Sequence, residues 1–225
     1  MIELRRVSCT RTETGISSSV HDISLELAPA SVTVFTGAPG CGKNLILRLL
    51  GLLESPDSGT VHFQQKATTE LGHESLHHLR DTACGYVFST PFLLPGFSVM
   101  ENIAMPLFKV FEMRPIDAQE RTETLTDFVQ LAKFSATHID KLNAGLHLRV
   151  GLARALGGLP PLLVVEEPDR TIHGEELHAF RKLLHSAAAR FGCAVAISAG
   201  TQLAPLAGER RIECVAGKIV CDAIS

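Results

Sequence analysis

The segment GAPGCGKN, at residues 37–44, most constrains what this chain can fold into. The preceding residues 32–36 are mostly β-branched and predict a buried strand, and the apolar run NLILRLLGL at 44–52 predicts a buried helix. A strand, a glycine-rich loop and a helix in this order match the G-x-x-x-x-G-K phosphate loop, in which backbone N–H groups and a lysine bind phosphate oxygens. Asn44 stands where the full pattern has Ser or Thr. The segment predicts a phosphate site, and a simple glycine turn is the alternative.

Strand and helix patterns alternate along the chain. Short runs of apolar and β-branched residues predict strands at 23–27, 60–63, 84–88, 162–165 and 194–197. Helical spacing of apolar residues predicts helices between about 99 and 156 and at 175–191. The tail predicts a final hairpin that turns at Ala216 and Gly217. This alternation predicts an α/β protein with a mainly parallel sheet and helices on both faces.

Composition narrows the class of protein and its partners. The chain has 225 residues, of which 45% are apolar and 20% charged, so we expect one domain at 1–225. The formal net charge of -3 gives no electrostatic reason to expect a nucleic-acid partner. No stretch reaches the roughly 18 apolar residues of a membrane span, so we expect a cytoplasmic protein. In that compartment the six cysteines, which form no C-x-x-C pair, are expected to be reduced.

Three later segments carry a resemblance to a known family. LNAGLHLRVGLARAL, at 142–156, resembles the signature helix of ABC-transporter ATPases, and PPLLVVEEPDR, at 160–170, resembles their Walker B strand. CGYVFSTPFLLPGFSVMENIAMPL, at 84–107, resembles their Q-loop and the start of their helical subdomain. Its ending ENIAMPL, together with LLGLLESPDSGTV at 49–61, is most similar to the lipoprotein-release, macrolide-export and cell-division branch of the family.

The resemblance implies a fold, two cofactors and a set of site residues. The fold is the P-loop NTPase, or RecA-like, core of the ABC ATPases, with an N-terminal antiparallel β-lobe and a helical subdomain inserted at approximately 92–156. The cofactors are ATP and Mg²⁺. Asn44 and Glu166 occupy the metal-binding positions, and Glu167 occupies the position of the catalytic base. The implied nucleotide-binding residues are Gly37, Ala38, Pro39, Gly40, Cys41, Gly42, Lys43 and Asn44, with Asn143 and Gly145 of the signature serving the nucleotide of the opposite subunit.

The resemblance breaks at positions that contact nucleotide in the family. Besides Asn44 and Glu166, which replace Ser/Thr and Asp, the departures are Ser89 at the Q-loop Gln, Asn143, Ala144 and Leu146 in the signature, His173 at the D-loop Asp, and Ala199 at the switch His. No aromatic residue stands near Thr10 to stack on adenine, which leaves Arg11 as the candidate. Because loss of one phosphate-binding group costs on the order of 10² to 10³ in rate, we expect slow or absent hydrolysis with ATP binding retained.

Two functions stay open from the sequence. The first is the ATP-binding subunit of an ABC transporter, docked on integral membrane permease subunits at the inner face of the membrane. The resemblance implies that such a subunit is a homodimer or a heterodimer with another ABC ATPase. The second is a pseudo-ATPase that serves as a structural or regulatory adaptor of a membrane complex. A small-molecule P-loop kinase is disfavoured, because that class does not explain the signature helix.

Overall fold

The computed structural model describes residues 2–13 and 16–224. Their strands are β1 (Ile2–Glu13), β2 (Ile16–Leu27), β3 (Val32–Thr36), β4 (Ser58–Phe63), β5 (Lys66–Ala67), β6 (Cys84–Val87), β7 (Leu162–Glu166), β8 (Ala194–Ala199), β9 (Glu209–Val215) and β10 (Lys218–Ile224). Their α-helices are α1 (Lys43–Leu50), α2 (His73–Ala83), α3 (Val99–Lys109), α4 (Pro115–Phe128), α5 (Ala144–Ala155) and α6 (Gly174–Phe191). None of the helices in this part of the chain has the length and apolarity that crossing a bilayer requires.

The strands form two sheets. The first is antiparallel, with the strand order β2-β1-β4-β5. The second has the order β10-β9-β3-β8-β7-β6, in which β9, β3, β8, β7 and β6 pair in parallel and β10 pairs antiparallel with β9. These sheets confirm the predicted α/β core with an N-terminal antiparallel β-lobe. The predicted final hairpin is also confirmed, since β9 and β10 are joined at Ala216 and Gly217.

Apolar layers cover both faces of the second sheet. Leu162 and Val164 of β7 pack into the layer that contains α1, whereas Leu163 and Val165 pack into the opposite layer with α5 and α6. Successive side chains of a strand point to opposite faces, so a strand that is buried on both faces needs apolar residues at every position. This is why β7 is an uninterrupted apolar run. The helix α1 contacts strands of both sheets and so joins them.

Strand β1 is not predicted by the sequence patterns, and its register explains why. Ile2, Leu4, Val7 and Cys9 are all buried. An irregularity in the pairing with β2 between Leu4 and Val7 shifts the alternation of buried and exposed residues. A bulge of this kind hides the period of two on which a strand prediction depends. The same pairing extends β2 well beyond the predicted 23–27.

The cysteines are free, as expected for reduced thiols. Five of the six are buried, and Cys221 is exposed. Burial raises the pKa of Cys84 to about 12 and that of Cys193 to about 11. The thiols of Cys84 and Cys193 therefore act as small apolar side chains and not as nucleophiles.

A buried ion pair fixes α6 to the start of β9. Arg181 Nε donates to Glu209 Oε1 at 3.1 Å, and a second guanidinium nitrogen donates to Glu209 Oε2. Both side chains are almost inaccessible, and Arg181 also donates to the carbonyl of Ala204 at 2.9 Å. The guanidinium and carboxylate compensate each other, so loss of one partner would leave an uncompensated charge in the interior.

We expect Glu209→Gln to destabilise the fold by about 3 kcal/mol, because it leaves the Arg181 charge buried without its counter-ion. Urea unfolding followed by circular dichroism measures the change. Glu213→Gln, an exposed position on the same strand, is the matched control and should change stability by less than about 0.5 kcal/mol. Equal effects of the two substitutions would show that the ion pair does not stabilise the fold.

Candidate functional site

The carboxyl ends of β3, β8 and β7 meet at one edge of the second sheet, because these strands are parallel neighbours. In open α/β sheets this edge is where ligands bind. The glycine loop leaves β3 here, Glu167 follows β7, and Gly200 follows β8. They border a cleft of about 740 Å³ whose lining is Arg11, Ser18, Gly37, Ala38, Pro39, Gly40, Gly42, Lys43, Asn44, Leu45, Arg48, Glu166, Glu167, Asp169, Arg170, Gly200, Thr201 and Gln202.

The glycine loop has a backbone that side chains would obstruct. Gly42 precedes α1 with φ of 100°, and a Cβ there would lie 2.6 Å from the carbonyl oxygen of Ser19. Gly40 also has a positive φ, but a Cβ at that position would meet nothing within 4 Å. No side chain in the described part of the chain caps the N-terminus of α1, and its first turn holds no acidic residue. The loop and helix end therefore fit an anion, since a helix N-terminus carries partial positive charge.

Lys43 forms an ion pair at the centre of the cleft. Its Nζ lies 2.9 Å from Oε1 of Glu167, and the two side chains are 4% and 12% exposed. Arg170 Nη1 donates to the other oxygen of the same carboxylate, Oε2, at 3.1 Å. One carboxylate is thus shared by two cations, one from the start of α1 and one from the turn after β7.

Glu167 is held in an uncommon backbone conformation and a positive environment. Its φ of 42° and ψ of 56° lie in the left-handed region, and its N–H donates to the carbonyl oxygen of Ser198 at 3.0 Å. Burial works to raise the pKa of Glu167, but hydrogen bonds from Lys43 and Arg170 outweigh it, and the pKa lies below its ordinary value. The carboxylate is therefore ionised at neutral pH, and it is a weaker proton acceptor than an unpaired glutamate.

Two oxygen-bearing side chains in the cleft fit a magnesium ion. Asn44 Oδ1 is buried and has no hydrogen-bond partner among the residues that the structure describes. Glu166 lines the same cleft at the end of β7. Magnesium in phosphate sites uses one or two protein oxygens and takes its other ligands from phosphate and water. The donor set therefore suits Mg²⁺ bound together with a phosphate.

The end of β8 is organised by Asp169. Its Oδ2 accepts a hydrogen bond from the N–H of Gly200 at 2.8 Å, and its Oδ1 is buried without a partner in the described residues. Ala199, at the position of the switch His, is fully buried and offers only a methyl group. On the other side, the hydroxyl of Thr171 donates to the carbonyl oxygen of Ser89 at 2.6 Å, which ties the Q-loop position to the turn after β7.

Not all of the predicted site residues lie in this cleft. Asn143 caps the N-terminus of α5, where its Oδ1 accepts a hydrogen bond from the N–H of Leu146 at 2.9 Å. Gly145 is buried under the carboxylate of Glu176, which a Cβ at that position would overlap. Neither Asn143 nor Gly145 lines the cleft. Cys41 does not line the cleft either, because it is buried in the apolar layer that contains α1.

Arg11 lines the cleft but is held by acidic neighbours. Its guanidinium donates to Glu54 Oε2 at 2.7 Å, to Asp57 Oδ1 at 2.8 Å and to the carbonyl of Ser55 at 2.6 Å. These hydrogen bonds raise the pKa of Arg11. Its charge is therefore compensated, and only a flat face of the guanidinium could stack on a base.

A model of a known family matches most of the chain. The family is described as "ABC transporter", and the match spans residues 20–170, which include the glycine loop and Glu167. The chain belongs to the ABC transporter family, as an ATP-binding domain.

Individual relatives agree with this assignment. The chain is 34% identical over 165 residues to the lipoprotein-releasing system ATP-binding protein LolD of Bordetella pertussis, covering 73% of this chain and 71% of that protein. It is 30% identical over 224 residues to the macrolide export ATP-binding/permease protein MacB of an Azoarcus species, covering 99% of this chain and 34% of that protein. These relatives confirm the predicted resemblance to the lipoprotein-release and macrolide-export branch.

A solved structure shows that the fold is shared. The dimeric ATP-binding cassette MJ0796, in a post-hydrolysis state bound to ADP and Pi, superimposes with a TM-score of 0.85 and 23% sequence identity, covering 100% of this chain and 98% of that one. The predicted ABC ATPase core is therefore confirmed as the fold of this ABC domain.

Sequence reasoning missed Asp169, Arg170 and the pairing of Lys43 with Glu167. Arg170 could have been found from its spacing, because a 3₁₀ turn (Pro168–Arg170) brings the third residue after Glu167 back to the same side. The roles assigned to the predicted nucleotide-binding and metal-binding residues of this ABC domain stay predictions.

We expect Glu167→Gln to lower the free energy of unfolding by about 2 kcal/mol at pH 7, because it leaves Lys43 buried without a counter-ion. The folded-state pKa of Glu167 is below its ordinary value near 4.5, so its contribution is present above that value and is lost as the pH falls through the lower folded pKa. Urea titrations of both proteins from pH 7 to pH 3 should converge at the acid end.

The exposed Glu120→Gln substitution on α4 serves as the control. Its difference from the unaltered protein should be small at every pH. A Glu167→Gln difference that stays constant down to pH 3 would contradict the ion-pair interpretation.

Proposed function

We propose that this ABC domain is the ATP-binding subunit of a transporter, that it binds ATP at the glycine loop and that it hydrolyses ATP slowly or not at all. The observation that carries the proposal is the cleft in which the loop at 37–44, Lys43 and Glu167 come together. Phosphoryl transfer requires donors that hold the phosphates and a carboxylate beside them, and the loop, the ammonium group and the carboxylate lie together in this cleft.

ATP binding would rest on the loop and Lys43. The N–H groups of the loop and the start of α1 would donate to the phosphates, and Lys43 would move from Glu167 to their oxygens. Asn44 and Glu166 would hold Mg²⁺, which neutralises phosphate charge when bound. The space beside Gly40, where even a Cβ meets nothing within 4 Å, supports a ligand close to the backbone.

Slow hydrolysis is supported by the groups around the terminal phosphate position. Ala199 cannot donate a hydrogen bond, and the short side chain of Ser89 cannot replace the Q-loop Gln. Since one missing group costs on the order of 10² to 10³ in rate, two predict turnover far below that of an ordinary ATPase.

The alternative function is a pseudo-ATPase that serves as a structural or regulatory adaptor. The ion pair between Lys43 and Glu167 favours it, because a triphosphate has to break a contact that already satisfies both charges. The two functions differ in one quantity, which is whether ATP binding is followed by any turnover.

Partners are proposed from the position of the signature residues. Asn143 and Gly145 lie outside the cleft of their own chain, so a complete site would need a second ABC ATPase, either another copy or a different chain. We favour the heterodimer, because a site that lacks several phosphate-binding groups is tolerated when the other composite site works.

The inserted helices at approximately 92–156 would form the helical subdomain that faces the permease subunits at the inner face of the membrane.

A groove beside the Q-loop position is the proposed permease contact. It has a volume of about 580 Å³, and its lining includes Leu53, Phe88, Pro106, Val110, Phe111 and Arg154. Leu53 and Val110 of this lining are 39% and 45% exposed, so the groove presents apolar surface that a partner could cover. An apolar helix of a membrane subunit fits this groove.

The first test measures ATP binding and ATP turnover on the same preparation. Isothermal titration calorimetry should show ATP binding that Lys43→Ala weakens at least about tenfold, because a charged donor to phosphate is lost. Turnover of the isolated chain should be on the order of 10⁻² per second or slower, given ordinary rates of 1 to 10³ per second. The turnover measurement is then repeated with membranes that contain the partner subunits, so that it reports on the assembled complex.

Each outcome has a defined meaning. Turnover that appears with the membrane subunits and disappears in Glu167→Gln supports a transporter subunit that hydrolyses ATP slowly. ATP binding without turnover supports the pseudo-ATPase adaptor. Rapid hydrolysis by the isolated chain would overturn the proposed impairment, and absence of ATP binding would overturn the proposed nucleotide site.

The second test concerns the groove. We expect Val110→Asp to abolish recovery of the chain with the membrane fraction of its native source, because a carboxylate would be buried against an apolar partner. Ile116→Asp, which changes a 65% exposed isoleucine outside the groove, is the control and should leave recovery unchanged. Equal recovery of the Val110→Asp and unaltered chains would place the permease contact elsewhere.

A further inference from the structure

Arg170 brings a cation into the cleft that the family resemblance does not assign. It ends the 3₁₀ turn after β7 and lines the cleft beside Glu167. Its side chain is 72% exposed although Nη1 donates to Glu167 Oε2 at 3.1 Å. Most of the guanidinium is therefore accessible to a ligand that enters the cleft.

The shared carboxylate places Arg170 next to the proposed phosphate position. Lys43 Nζ contacts one oxygen of Glu167, and Arg170 Nη1 contacts the other. A phosphate oxygen bound by Lys43 near its present position would lie beside this carboxylate, which Arg170 also contacts. Glu167 occupies the position of the catalytic base, which places the terminal phosphate on this side of the cleft.

Two of the other residues near the cleft are less able to serve that phosphate. Ala199 has no donor in its side chain, and the guanidinium of Arg11 is held by Glu54 and Asp57. Arg170 is also anchored through its backbone, since its N–H donates to the carbonyl oxygen of Glu167 at 3.1 Å. Its side chain therefore starts from a fixed point at the rim of the cleft.

We propose that Arg170 binds the terminal phosphate of ATP, to which the side chain of Ala199 offers no donor. The inference rests on the proposed function, in which the cleft holds ATP. A guanidinium has five N–H donors in one plane, so it can keep one hydrogen bond to Glu167 and direct others to the phosphate. Because ADP lacks the terminal phosphate, this contact makes the cleft prefer ATP over ADP.

The test compares ADP with a non-hydrolysable ATP analogue, each titrated with Mg²⁺ by calorimetry. Arg170→Ala should weaken binding of the analogue about 10-fold to 100-fold, because a charge-assisted hydrogen bond is lost, and should change ADP binding less than about twofold. Arg170→Lys should keep part of the preference, since an ammonium supplies the charge but cannot bridge two acceptors in one plane. Unchanged ADP binding also shows that the variant is folded.

Arg114→Ala is the matched control, because Arg114 makes an exposed ion pair of the same spacing with Asp117 outside the cleft. It should alter neither affinity. If Arg170→Ala weakens both nucleotides equally, or neither, Arg170 only positions Glu167 and the inference is wrong while the proposed ATP site stands. If the unaltered chain binds neither nucleotide, the proposed function fails and the inference fails with it.

Discussion

The ion pair between Lys43 and Glu167 is the interaction on which the site depends. It joins the start of α1 to the end of β7 across the carboxyl edge of the sheet, and both side chains are largely buried. A buried charge is costly unless it is paired, so each group holds the other in the cleft. If a phosphate draws Lys43 away, the carboxylate of Glu167 needs another counter-ion. Arg170 already contacts that carboxylate. Phosphate binding and the charge state of the Glu167 carboxylate would thus be coupled through these three side chains.

Much of the fold could be predicted from the sequence, because its strands carry local signals. β3 begins and ends as predicted, and β7 extends one residue beyond the predicted 162–165. Both strands are buried on two faces, so their apolar runs are short, continuous and bounded by Gly or Pro. β1 was missed because its bulge breaks the alternation between Leu4 and Val7. Local patterns predict elements well where the backbone is regular and poorly where a bulge interrupts the period.

The contacts within the site could not be predicted in the same way. The family resemblance predicted that the glycine loop and Glu167 belong to one site, and parallel pairing in the order β3-β8-β7 brings them together. The partners of individual side chains depend on which strands are neighbours and on the turn that follows each strand. The sequence alone does not reveal that Asp169 accepts a hydrogen bond from Gly200, or that Arg11 is held by Glu54 and Asp57. Only the contact between Glu167 and Arg170 could have been predicted from their spacing in the sequence, because a 3₁₀ turn joins them.

The arrangement also bears on which step would be slow if the chain hydrolyses ATP as proposed. The cations that lower the pKa of Glu167 are the same ones that a triphosphate would recruit. Once Lys43 turns to phosphate, the carboxylate loses one of its two counter-ions, and its pKa rises toward the ordinary value. Glu167 would then be a better proton acceptor in the ATP-bound state than in the structure described. We infer that the weak point is not the base but the donors around the terminal phosphate, where Ala199 offers none and Ser89 does not extend far enough. A chain of this kind would retain ATP in a charged cleft and lack the groups that stabilise its transition state.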